Sequence, residues 1–137
     1  MRKSGVLVGV AVAVFGLTLV ANEKPSDAFK KAMNDIQSGQ MGLRAAVTAK
    51  DYDGIAKHAA TFKASFGVTE TYFTGKKVDD AVTAAKAGAK AAADLATAAT
   101  AKNDENIAAA QRALGATCAG CHTAHRERLP DGTFEIK

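Results

Sequence analysis

The chain has 137 residues, of which 47% are hydrophobic, 23% charged and 6% aromatic, with 2 Pro, 2 Cys and no Trp. This length and composition predict one globular domain and exclude collagen, long disordered tracts and a disulfide-dense scaffold. The formal net charge of +4 includes Arg2 and Lys3; without them it is weak and dispersed, so it gives no case for nucleic acid or an anionic membrane.

Met1-Arg2-Lys3 is a short positive start, and Ser4 to Asn22 carry no charged side chain. That layout predicts a secretory leader over residues 1–21, cleaved after Ala21, followed by one domain over 22–137. Leu19 is larger than the small residue that such a cleavage site favours, and an uncleaved anchor is the alternative. Both readings put the domain outside the cytoplasm, in the periplasm.

Downstream, no Pro interrupts the chain between Pro25 and Pro130, and Ala supplies about half of residues 81–113. Both features favour helix, and apolar residues do not alternate as strands require. Four segments follow. The first, Ser26 to Ala49, carries Phe29, Met33, Ile36, Leu43 and Val47 on one stripe of period 3.6. The second, Tyr52 to Phe73, is capped by Asp51, presents Ile55, Ala59, Phe62, Phe66 and Phe73, and closes at Thr74-Gly75. The third, Val78 to Ala101, has a thin inner face of Val78, Val82, Ala85, Ala89, Ala92 and Ala96. The fourth, Asp104 to Leu129, is capped by Asn103, aligns Ile107, Leu114, Cys118, Cys121 and His125, and stops at Pro130-Asp131-Gly132. Helices of this size, roughly 33–39 Å long, joined by short links, predict an all-α, antiparallel up-down four-helix bundle. The Ala-lined third helix buries little apolar area, so something besides side chains is expected to fill the core.

Cys118-Ala119-Gly120-Cys121-His122 is a C-x-x-C-H string, the signature of covalent c-type haem attachment. On a helix these three side chains fall within about 100° of one face. Two thiols so spaced can form thioethers to one haem, and the adjacent imidazole can bind its iron. A thioredoxin-like or disulfide site is the first competitor, but it belongs after a strand. Structural zinc held by Cys118, Cys121, His122 and His125 in a helical adaptor is the second, although such zinc sites usually draw on two separated pairs.

With the motif in the last helix, Arg126 four residues after His122, and Met33 and Met41-Gly42 in the first helix, the sequence resembles the cytochrome c prime family. The resemblance implies one covalent haem c near the C-terminal helix, bound by Cys118 and Cys121 with His122 as proximal iron ligand. It also implies that the first helix supplies either a Met ligand or an apolar blocker on the other side of the iron. Met33, on the apolar stripe, is the better-placed sixth ligand, and core gap-filling is its alternative role. Arg126 is expected to pair with a propionate or to flank the proximal side. His58 is a weaker candidate ligand. His125 is expected at the haem edge or on a propionate. It departs from the aromatic common in the family before the Arg, and Thr133 to Lys137 extend past the usual end.

The expected function is one-electron transfer with redox partner proteins. The alternative is a five-coordinate iron that binds NO or CO. No nucleophile, base and orienter set is visible, so no enzyme activity is expected. Dimers are common in the family, and the first or third helix would offer a flat face for a homodimer.

Overall fold

The computed structural model describes residues 22–137, so the leader expected over 1–21 lies outside the described residues. Four helices dominate: α1 (Asp27–Ala49), α2 (Tyr52–Lys76), α3 (Asp79–Thr100) and α4 (Asp104–His125). Each of three N-termini is closed by a side chain on an otherwise unpaired backbone N–H. Ser26 accepts from Phe29, Asp51 from Gly54 and Asn103 from Asn106.

The C-termini are less conventional. Lys50, Lys77 and Lys102 adopt φ of 53°, 58° and 51°, the left-handed conformation that glycine normally supplies. At the end of α2 the Lys77 N–H reaches Thr74 O and the Val78 N–H reaches Phe73 O. The helix therefore runs through Thr74-Gly75, which the sequence predicts to close it, and stops where half-buried Val78 can fold back onto Phe73.

The helices pack as an all-α four-helix bundle. The α1–α2, α2–α3 and α3–α4 seams are close, whereas α1 and α4 stand apart along the fourth seam. The main core joins Leu43, Phe62, Phe66, Leu95, Ile107 and Leu114 from all four helices. A second cluster, Phe29, Phe73 and Ala81, lies towards the N-terminal end of α1. The predicted face of α2 is the buried one, and on α1 Phe29, Ile36 and Leu43 are buried while Met33 and Val47 are half-buried. The α3 face is turned: Ala81, Ala85, Gly88, Ala92, Leu95 and Ala99 are buried, while Val78, Val82, Ala89 and Ala96 are only partly covered. The buried face includes Gly88, which lies directly under the Phe66 ring, where a Cβ would collide with it.

The fourth helix ends at His125, not at Leu129. Arg126 is already extended, at φ −122° and ψ 130°, and pairs with Ile136 of the returning tail instead of continuing the helix. The chain turns instead into β1 (Arg126–Arg128), and β2 (Phe134–Ile136) returns antiparallel to it, so the expectation of no strands is corrected. The turn is built by Asp131, whose carboxylate accepts from the Thr133 N–H at 2.9 Å and hydroxyl at 2.6 Å, and by Gly132 at φ 85°. Glu23 adds a bridge to Ile136, so the first described residues and the last lie side by side.

Candidate haem-attachment site

The C-x-x-C-H string occupies the last two turns of α4, beyond the deepest core. Asn103 starts that helix, and Ile107, Ala110 and Leu114 bury its first half, which fixes the direction in which the motif projects. Cys118 and Cys121 are half-buried and unbonded, and His122 is exposed. Cys118 leans towards α1, where the Gln40 side-chain amide lies 3.7 Å from its Sγ. Cys121 leans towards the acidic start of α3. Burial pushes both thiols above the ordinary cysteine range, and at Cys121 the neighbouring Cys118 and then Asp80 add to this.

The His122 imidazole is shifted the other way. Partial enclosure of the ring, and then the Arg126 guanidinium, hold its pKa below the ordinary histidine value. That favours the neutral imidazole, the form whose nitrogen lone pair binds a metal. Arg126 Nη1 lies 3.5 Å from His122 Nδ1. Cys118, Cys121, His122 and Arg126 are thus brought together at one end of the bundle.

His125 is not part of this group. Its Nε2 lies 2.9 Å from Asp80 Oδ2, and its ring packs 5.7 Å from the Phe73 ring. That hydrogen bond holds the Asp80 carboxyl below the usual carboxylate range. With His125 turned to α3, no three His, Cys, Asp or Glu side chains converge on a metal-ion site among the described residues. The zinc arrangement on Cys118, Cys121, His122 and His125 therefore lacks its fourth ligand.

On α1, Met33 is half-buried and packs against both core clusters, the larger of which has Cys118 at its margin. Ile36, one turn on, is buried in that larger cluster. Met41 is 67% exposed and points away. His58 lies over Gly42 on the α1–α2 seam, close enough that a Cβ there would meet its ring. Sequence reasoning missed Gln40, which occupies the stripe position between Ile36 and Leu43; a lone polar residue on an apolar stripe was the available signal.

The residues present fit a haem. Cys118 lies beside Gln40 at the margin of the α1–α4 seam, and Cys121, one turn on, faces the start of α3. That seam holds a cleft of about 380 Å³ with an apolar floor of Leu43, Phe62 and Leu114. A four-helix bundle with an apolar-floored cleft between its first and last helices, and a C-x-x-C-H string on the last turns of the fourth, defines a class: the four-helix-bundle c-type cytochromes.

No protein-family model matches the chain, and no solved structure gives a significant match. Among curated proteins, it is 36% identical over 112 residues to the cytochrome c′ of Pararhodospirillum photometricum, covering 76% of this chain and 89% of that one. The chain belongs to the cytochrome c′ family, as a mono-haem c-type cytochrome.

Proposed function

We propose that this protein is an exported one-electron carrier whose single haem is attached through Cys118 and Cys121 and ligated by His122. The observation that carries the proposal is the C-x-x-C-H string on the last turns of α4, with Cys118 beside Gln40 at the margin of the open α1–α4 seam. Haem, when bound there, supplies a one-electron iron couple.

The chain's own residues do the rest. The core around Phe62, Phe66 and Leu95 anchors the first half of α4 through Ile107, Ala110 and Leu114. Cys118 and Cys121 then present both sulfurs from one face. Leu43, Phe62 and Leu114 exclude water from the inner side, and Gln40 fills the Cys118 flank with a hydrogen-bonding amide. Arg126 keeps a positive charge next to His122. The seam's opening to solvent leaves a route for electrons to and from a redox partner protein.

Met33 is the thioether available on the α1 side for a sixth ligand. A second reading, a five-coordinate iron that binds NO or CO, is favoured by Ile36, a buried apolar neighbour of Met33 with no donor atom. Optical spectra of the reduced protein under CO separate the two. A low-spin spectrum that CO leaves unmoved, converted to high spin by Met33→Ala, supports the closed carrier. Rapid CO binding to the wild type overturns it in favour of the open site.

The leader expected over residues 1–21 supports export to the periplasm. Fractionation of expressing cells tests this; haem protein recovered with the periplasmic contents supports cleavage, and recovery with the membrane supports a retained anchor.

A further inference from the structure

The C-terminal tail has two unlike faces. Cross-strand partners are Arg126 with Ile136, Glu127 with Glu135 and Arg128 with Phe134, so Arg126, Arg128, Phe134 and Ile136 share one face. Ile136 anchors that face. It packs against the Phe29–Phe73–Ala81 cluster, and its backbone exchanges two 2.9 Å hydrogen bonds with Glu23. The Lys137 N–H also reaches the His125 carbonyl, which ties the tail to the last residue of α4. Phe134 is different. It is 38% exposed, and its ring centre lies 3.8 Å from the Arg126 guanidinium and 6.0 Å from that of Arg128. Arg126 is the same side chain that reaches His122 Nδ1.

We propose that Phe134 is a positioning residue for the haem site. By stacking on Arg126 it holds the guanidinium charge beside His122, and so raises the reduction potential of the iron. The inference rests on the reading of His122 as the axial ligand. An arginine on an exposed strand has many rotamers, and a ring stacked on its guanidinium removes most of them. A guanidinium has only donors and cannot accept the ring proton of a ligating imidazole. It therefore acts as a fixed positive charge. That charge favours the reduced iron, which carries one positive charge fewer. It also draws electron density from the ligand, the reverse of the usual carboxylate partner. The tail beyond Pro130 thereby becomes part of the haem environment.

The test is the midpoint potential of haem-loaded wild type, Arg126→Gln, Phe134→Leu, Phe134→Tyr and the Arg126→Gln/Phe134→Leu double variant. Phe134 is exposed, so its replacement leaves the core intact. Arg126→Gln is expected to lower the potential, Phe134→Leu to lower it part of the way, and Phe134→Tyr to keep the wild-type value. In the double variant Phe134→Leu adds nothing to Arg126→Gln. An unshifted potential in Phe134→Leu, or an equal shift with and without Arg126, overturns the inference while leaving the haem reading intact. A wild type without covalent haem overturns both.

Discussion

At the scale of single residues, two glycines show how closely the helices approach. A Cβ on Gly39 would stand 2.6 Å from Cε1 of Phe62, and one on Gly88 would collide with the Phe66 ring. Both rings are buried, so neither has free space to swing into. Alanine would gain about 1 kcal/mol of helix propensity at each position. Overpacking a well-filled core costs about 1–3 kcal/mol. The expected outcome is that Gly39→Ala and Gly88→Ala each lower the melting temperature, whereas the same change at Gly75, which faces open space, raises it. Thermal melts of the three variants check this. The core phenylalanines themselves were legible from their spacing. The glycines beneath them were not, because spacing within one helix says nothing about which residue of a neighbouring helix lies opposite.

At the scale of elements, what was legible depended on the size of the side chains that mark each buried face. The α1 stripe and the α2 phenylalanines have large side chains against polar neighbours, and their buried faces follow directly. In α3 fifteen of the 22 residues are Ala, Gly or Thr and none is aromatic, so no large ring marks one face, and the buried face includes Gly88 under Phe66. The tail carried its own signal, alternating Phe134 and Ile136 after a Pro-Asp-Gly turn, and the sequence reading used that turn only as a helix stop. Helix ends were missed for a related reason. Lysine is not the residue expected at a left-handed position, yet three helices end that way. Lys77→Gly is therefore expected to stabilise the protein by about 0.5–1 kcal/mol, since relief of the left-handed strain exceeds the added unfolded-state freedom. Chemical denaturation of the variant checks it.

A second element-scale prediction concerns the staple between the α1–α2 corner and the start of α4. Asp104 accepts from Lys50 Nζ at 2.9 Å and from the Tyr52 hydroxyl at 3.0 Å. These bonds hold its carboxyl below the ordinary value of 3.8. A lowered folded-state pKa means that the stabilisation is present above the ordinary carboxylate value and is lost as pH falls through the folded one. The group is exposed, so the effect is small and weakens with salt. Melts between neutral pH and about pH 3 should fall more steeply in the wild type than in Asp104→Asn, most clearly at low ionic strength. Parallel acid limbs would contradict the staple.

At the scale of the whole molecule, three closed seams and one open one place the chemistry. The thiols, the imidazole and the guanidinium come from one stretch of α4 and its continuation, so this part of the site was readable from the string alone. The gap beside it, the turn of His125 away to Asp80 and the approach of Gln40 come from distant parts of the chain, and only the assembled bundle displays them. Since α1 and α4 lack each other's support, the Cys118→Ser/Cys121→Ser variant is expected to lose protection first in these two helices. Amide exchange of that variant, compared with haem-loaded protein, checks this; uniform loss across all four helices would contradict it.

The most direct measurement is the intact mass of the purified mature protein under denaturing conditions, beside that of the Cys118→Ser/Cys121→Ser variant. The account predicts that the wild type carries the added mass of one haem through denaturation and that the variant does not. A wild type with the mass of the polypeptide alone would contradict it.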